Sequence, residues 1–297
     1  MDKSYSLIKN ISIHSSKVKS IDELKDFYEK GLFSDSRMWD DFIPENEIND
    51  LGAAINSRLR NRMSQLSLGV YSVLENGPEK NIKDDDEICL FTGFGEIETT
   101  NQIIKSIVLE KFMLVSPTLF HNSVHHTSLG YYTIIKKLHN SCITISDGLD
   151  TGRSFVEYIK KRALLDKGLV VVSGEEYSSF HELDRKVCKK IIPSFIAYKI
   201  DKDQSSGFRF VSEFKDLSEL KKIPLFKESE NIIVARNIFL KLKDKVDKNI
   251  LTEHPLVFDN PCGIIYRLSF PFAFNLKGRS MVIEEQNGKF QYFEVII

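Results

Sequence analysis

Few side chains in this sequence are spaced to do chemistry, and the clearest of them fall between Gly93 and Glu176. Cys142 sits at the edge of a short apolar run, and a cysteine thiolate is a strong acyl-accepting nucleophile. Ser146 closes the same run. Glu175 and Glu176 end another apolar run, and a carboxylate pair is one way to build an acid and a base. His121, His125 and His126 lie close together, the first two at the four-residue spacing that puts two imidazoles on one helix face, as a metal site needs. Gly93-Phe94-Gly95-Glu96 has the outline of a phosphate loop.

Each of these has a plainer reading, which is the one expected. Cys142 reads as a small apolar thiol at a strand edge. The histidines have no cysteine or carboxylate beside them as a third ligand, so they read as helix-start or interface residues. Glu175 and Glu176 read as loop charges or salt-bridge partners. Gly93 to Glu96 lacks a third glycine and a Lys-Ser/Thr pair, and reads as a tight strand-to-helix turn. Asp147 and Asp150 are expected to cap the helix that follows them. No metal and no cofactor are expected.

The elements that must position these residues alternate along the chain. Strands are expected over Ser6 to His14, Ile88 to Thr92, Cys142 to Ser146 and Leu169 to Ser173. Helices are expected over Ile21 to Lys30, Asn49 to Leu74, Glu98 to Phe112, Val124 to Leu138 and Gly152 to Leu165. Met38 to Asn49 reads as a surface excursion packed down by Trp39 and Phe42. Ile192 to Ile200 and Gly207 to Phe214 read as paired strands, Asn231 to Leu242 as helix, and Gly263 to Phe270 as strand. Arg279 to Ile297 reads as two strands joined at an Asn287-Gly288 turn. Strand and helix in alternation predict a layered α/β fold around a central sheet.

Bulk properties exclude several classes. The chain has 297 residues, 42% apolar and 28% charged, with a formal net charge of −1. That balance gives no general attraction to nucleic acid or anionic membrane. No apolar run is long enough for membrane insertion, and the opening residues are too polar for a signal peptide, so a cytoplasmic location is expected. The four cysteines, Cys89, Cys142, Cys188 and Cys262, are far apart, without a CxxC pair, and are expected to be reduced and buried as small hydrophobes.

In order and spacing, five segments resemble the β-ketoacyl synthase family, and within it the chain-length-factor-like subunits of aryl polyene, polyketide and related systems. They are Ser116-Pro117-Thr118-Leu119-Phe120, Ser123-Val124-His125-His126, Gly130 to Ile134, Ile143 to Gly148, and Val170 to Glu176. Arg58-Leu59-Arg60 with Met63 adds to the likeness. His126 stands where the family has Asn, and Tyr132-Thr133-Ile134 departs from its small-residue turn.

The resemblance implies a thiolase-like α/β layered fold, with helices packed on central mixed sheets. It implies an N-terminal half over 1–185 and a shortened C-terminal half over 186–297. In active family members a cysteine occupies a sharp turn between a strand and a buried helix, where the helix N-terminus favours the thiolate and its N–H groups hold an oxyanion. By register, Leu149 takes that place here, and leucine accepts no acyl group. The family's second-half histidine contexts are missing too, His254 being in Thr-Glu-His-Pro. The resemblance therefore implies a subunit without independent acyltransferase activity. It would pair with an active β-ketoacyl synthase and engage an acyl carrier protein in polyketide, polyene or fatty-acid-type biosynthesis. A heterodimer is expected over a homodimer. Phe120, Val124, His125, Leu129, Tyr131 and Ile134 are the candidate interface and tunnel residues. Two alternatives stay open: an enzyme with Cys142 or Ser146 as an unusual nucleophile, and a stand-alone homodimeric interaction protein.

Overall fold

The computed structural model describes residues 5–15, 18–29, 50–109, 116–162, 167–176, 193–242, 249–252, 260–286 and 288–297. The chain begins with β1 (Tyr5–Ser15), α1 (Ile21–Glu29), α2 (Ser57–Arg60), α3 (Gln65–Asn76), β2 (Glu87–Phe91) and α4 (Ile97–Leu109). It continues through α5 (Pro117–Asn122), α6 (Thr127–Lys136), β3 (Ser141–Ile145), α7 (Thr151–Arg162), β4 (Leu169–Glu175) and β5 (Ser194–Asp203). Then follow β6 (Gly207–Phe214), α8 (Pro224–Glu228), β7 (Asn231–Val234), α9 (Arg236–Leu242) and β8 (Asn249–Thr252). The last elements are α10 (Gly263–Ala273), β9 (Arg279–Gln286) and β10 (Lys289–Ile296).

The strands form one mixed sheet in the order β3-β2-β4-β5-β1-β6-β10-β9-β7-β8. That order is the same five-strand pattern used twice. β2 lies parallel between β3 and β4, and β5 and β1 follow antiparallel. β7 lies parallel between β8 and β9, and β10 and β6 follow antiparallel. The two sets meet at one residue pair, Ser6 opposite Phe208. In each set the helix before the fourth strand, α7 or α10, is the one buried between the sets.

Side-chain alternation shows how the layers stack. Cys89, Phe91, Val171, Ile196 and Tyr198 face inward with Ile233, Val282 and Phe293, onto Phe155, Val156 and Ile159 of α7 and Ile264, Ile265 and Leu268 of α10. Ile88, Leu90, Val170, Val172 and Ala197 face outward onto Leu66, Val70 and Leu74 of α3 and Leu129 and Tyr132 of α6. Ile232, Val234, Met281 and Ile283 face the other way, onto Phe226 of α8 and Ile238 and Leu242 of α9. The result is five layers, α-β-α-β-α, the thiolase-like arrangement. Gly69 lets α3 approach closely, because a Cβ there would fall 2.3 Å from the Phe195 ring.

Several expectations need correcting. The single helix expected over Asn49 to Leu74 is two. Asn56 caps α2 through Arg58 N–H and Ser64 caps α3 through Ser67 N–H, and these caps mark separate starts within one periodic pattern. The helix expected from Val124 begins at Thr127, and α5 precedes it. β5 and β6 are not partners, since β1 lies between them. Asn231 to Val234 is strand before α9 begins. Gly263 to Phe270 is helix, with every residue from Gly263 to Pro271 buried. A run that is apolar on all sides carries no period, so a short buried helix and a buried strand look alike in sequence. β8 had no expected counterpart. The β9–β10 hairpin is as expected, and Gly288 takes the left-handed conformation at φ 71°. The Met38 to Asn49 excursion and the 185/186 boundary lie outside the described residues. Among the described residues, no helix is long and apolar enough to cross a membrane.

Candidate functional site

The N-termini of α7 and α10, the two central helices, converge on the turn that follows β2. Pro261, just before α10, packs on this turn so closely that a Cβ at Gly93 would lie 2.4 Å from its ring. A Cβ at Gly152, in the first turn of α7, would lie 2.8 Å from the Pro261 carbonyl. The corner from β3 into α7 is tied to the same turn. The Ser146 hydroxyl donates to the Gly93 carbonyl at 3.1 Å, and the Gly148 N–H donates to it at 3.1 Å. Thr151 Oγ1 accepts the Asp147 N–H at 3.0 Å, and Ser154 Oγ donates to Asp147 Oδ2 at 2.7 Å. Asp147 thus holds the first turn of α7 by its side chain, as a helix-start acid should. Leu149 stands at the head of this corner, 58% exposed.

Beneath the corner lie three buried carboxylates with no cation paired to them among the described residues. The expectation that Glu175 and Glu176 are loop charges or salt-bridge partners is therefore corrected. Glu175 accepts the N–H groups of Gly93 and Phe94. Burial pushes its carboxyl up to about 7, against the pull of those donors. Glu176 accepts Leu66 N–H and Glu98 N–H, each at 3.2 Å, at the first turns of α3 and α4. Glu96 is ringed by hydroxyls: Ser64 at 2.7 Å, Ser128 at 3.1 Å, Thr99 at 3.2 Å and Ser67 at 3.4 Å. Burial raises both Glu96 and Glu176, and Glu176 is raised further by the charge of Glu96. Gly93 to Glu96 is the tight strand-to-helix turn expected, with Gly95 at φ 59°.

The three histidines do not share a helix. His121 ends α5 and meets the Tyr131 ring edge-on at 5.7 Å. His125 lies in the turn between α5 and α6, where its Nδ1 accepts the Glu96 N–H at 3.2 Å. His126 reaches Thr144 Oγ1 at 3.3 Å. Among the described residues, no three His, Cys, Asp or Glu side chains gather as metal ligands do.

The other candidate residues separate by exposure. Phe120, Val124 and Ile134 are 67%, 57% and 77% exposed, whereas Leu129 is buried in the layer over the first sheet. The Tyr131 hydroxyl bonds Asn122 and the Arg62 carbonyl. Residues that sequence reasoning passed over are Glu96 with its hydroxyl ring, and Cys262, whose Sγ lies 3.8 Å from Glu175 Oε1. Cys262 is buried, as its wide spacing from the other cysteines leads one to expect, whereas nothing in the sequence beyond its place after a glycine turn marks Glu96 as buried.

No activated thiol is present among the described residues. Burial, and then the nearby Glu175 charge, hold the Cys262 thiol up. Burial, then Glu87, raises Cys142, and Cys89 is raised by the same two causes. A raised thiol is a poor nucleophile near neutral pH. His254 falls outside the described residues.

Two buried helices meeting head-on between duplicated five-strand sets define a ketosynthase-type, thiolase-like fold. Residues 39–177 match the family model for the beta-ketoacyl synthase N-terminal domain. No protein of curated function matches the sequence. Among solved structures, the chain is similar to a ketosynthase in complex with its chain length factor from Xenorhabdus doucetiae. That match has 15% identity and a TM-score of 0.64, covering 97% of this chain and 98% of that one. It is also similar to the ishigamide ketosynthase/chain length factor, at 12% identity and TM-score 0.70, with 99% and 100% covered. A third is a type II polyketide acyl-carrier protein in complex with its ketosynthase, at 12% identity and TM-score 0.70, with 99% of each chain covered.

Proposed function

We propose that this chain is a ketosynthase-like subunit without a nucleophile, acting as a chain-length-factor-like partner of an active β-ketoacyl synthase. The observation that carries the reading is Leu149, an exposed aliphatic side chain at the head of α7. By register with the family, that is where acyl transfer needs a thiolate. The raised thiols of Cys142 and Cys262 count against a displaced nucleophile.

The partner reading has support of a different kind at the sheet's end. β3 is an outer strand, with Cys142, Ile143 and Ile145 only partly buried. An apolar edge strand is a template for pairing with another chain. Phe120, Val124 and Ile134 expose further apolar surface on α5, α6 and the turn between them. In this proposal a ketosynthase of the same fold supplies the thiolate and the histidines, in a cytoplasmic heterodimer. This chain lines one end of the acyl tunnel and helps to position the acyl carrier protein. The pathway is of polyketide, polyene or fatty-acid type.

The test is intact-mass analysis of the purified chain after incubation with malonyl- and acyl-loaded carrier protein. No mass increment is expected from the chain alone, and a ketosynthase co-expressed with it should co-purify. A stable acyl adduct on this chain would overturn the reading.

A further inference from the structure

The turn between α5 and α6 is held down by one imidazole. The His125 ring packs against Gly95, where a Cβ would fall 2.1 Å from Nδ1, so only glycine leaves room for it. Gly95 is also in the left-handed region that glycine tolerates best. Nδ1 accepts the backbone N–H of Glu96, so the ring proton of the neutral imidazole is on Nε2. Residues on either side of His125 build the surface used in the proposed function. Thr127 N–H donates to the Val124 carbonyl at 2.9 Å, Thr127 Oγ1 donates to the His121 carbonyl at 2.9 Å, and Asn122 Nδ2 donates to the Arg62 carbonyl at 2.7 Å.

A second proton on this ring has nowhere to go. Protonated Nδ1 would point its hydrogen at the Glu96 N–H, donor against donor. The two buried carboxylates of this region are turned elsewhere. The Glu96 carboxyl is turned to Ser64, Ser67, Ser128 and Thr99, and Glu176 is turned to Leu66 N–H and Glu98 N–H. From α5 and α6 the neighbouring titratable groups are His121, against Tyr131, and His126, bonded to Thr144. The Tyr131 hydroxyl is committed to Asn122 and Arg62. The main chain of Arg62, before α3, holds Asn122 and Tyr131.

We propose that His125 is a proton-operated latch: as the neutral Nε2–H tautomer it locks the α5–α6 corner, and on protonation it releases that corner and weakens binding of the partner chain. The latch rests on the proposed function only in its last clause. Half-burial of the ring favours the neutral, locked state, in keeping with this geometry.

The experiment uses the full chain with 15N-labelled histidine. Two-bond 1H–15N spectra at pH 7.5 should report His125 as the Nε2–H tautomer. Hydrogen exchange over residues 117–136 should show protection factors falling several-fold between pH 7.5 and pH 4.5, as the ring takes up its second proton. His125→Gln keeps an acceptor for Glu96 N–H without titrating, and should hold protection constant across that range. Gly95→Ala should expel the ring and leave the corner unprotected at both pH values. An Nδ1–H tautomer, a His125→Gln variant that loses protection with acid as the wild type does, or a Gly95→Ala corner as protected as the wild type would each overturn the latch. Binding to the co-expressed ketosynthase is measured in parallel. No binding at any pH counts against the proposed function and the latch's last clause, while exchange still decides the lock itself.

Discussion

Glu175 should make this protein less stable as pH rises through neutrality, against the usual trend for carboxylates. It is 1% exposed, and burial lifts its carboxyl from an ordinary 4.5 to about 7. Between those values the folded chain keeps a proton that the unfolded chain has released. The stability tied to that proton is fully present below pH 4.5 and is lost as pH rises through 7. A window about 2.5 pH units wide, at about 1.36 kcal/mol per unit, amounts to about 3 kcal/mol. Glu175→Gln carries no charge at any pH and removes this dependence. It also weakens one of the two N–H bonds from Gly93 and Phe94, at about 1 kcal/mol. The variant should therefore be about 1 kcal/mol less stable than wild type at pH 4.5, and about 2 kcal/mol more stable at pH 8. Urea unfolding of both proteins at the two pH values gives the comparison. Glu96, Glu176 and His125 titrate in both proteins, so their contributions drop out of the difference. A difference that does not change with pH would show Glu175 ionised in the fold, and would refute the argument that burial outweighs its donors.

Replacing Leu149 with cysteine puts an exposed thiol at the N-terminus of α7, where the helix dipole favours the thiolate. Iodoacetamide at pH 7 should alkylate it about ten times faster than the native thiols of Cys89, Cys142 and Cys262, all of which are raised, as read by peptide mass mapping. Lys199 and Asp86, 2% and 1% exposed at their side chains, form a 2.6 Å ion pair between β5 and the turn before β2. Lys199→Met should cost about 3–5 kcal/mol in urea unfolding by leaving Asp86 buried and unpaired, and adding Asp86→Leu should recover most of that. Thr92 N–H bonds the Ile145 carbonyl, so the alternate residues Cys142 and Thr144 turn their backbone groups to the free edge of β3. Thr144→Pro should abolish co-purification with the ketosynthase while leaving the circular dichroism spectrum unchanged.

The first half of the chain was legible because its strands and helices follow rules that act locally. β2, β3 and β4 are short apolar runs, and α7 has a clear amphipathic stripe in Phe155, Val156 and Ile159. The second half hid its architecture. Burial of α10 on every side erased the helical period, and the four residues of β7 were absorbed into the helix that follows them. The repeated strand order left no sequence repeat, because matching topology asks only for apolar residues at alternate positions. At the site, the strand-to-helix corner that carries Leu149 was legible from the apolar run of β3 and the stripe of α7. The buried state of Glu96, Glu175 and Glu176 was not. A glutamate after a glycine turn looks the same whether its carboxyl meets water or a ring of serine hydroxyls, and only tertiary packing decides which.

The buried carboxylates bear on why the centre is built as it is. Desolvating a carboxylate works against folding, and such arrangements are kept where function outweighs stability. Their contacts are with main-chain N–H groups and hydroxyls. Glu175 fastens the turn after β2 to the end of β4, Glu176 fastens α3 and α4 to that same end, and Glu96 draws Ser64 of the α3 cap and Ser128 of α6 onto the turn. Together they fix the placement of α3, α4 and α6, and Ile104, Val108 and Ile134 on the last two are left exposed. Under the proposed partner role, a centre without the thiol has no acyl transfer for these contacts to serve. A centre that sets the shape of a docking face has a use for them. If Glu96→Gln with Glu176→Gln leaves ketosynthase binding unchanged while stabilising the fold at pH 8, the carboxylates are not what shapes that face, and this account of them fails.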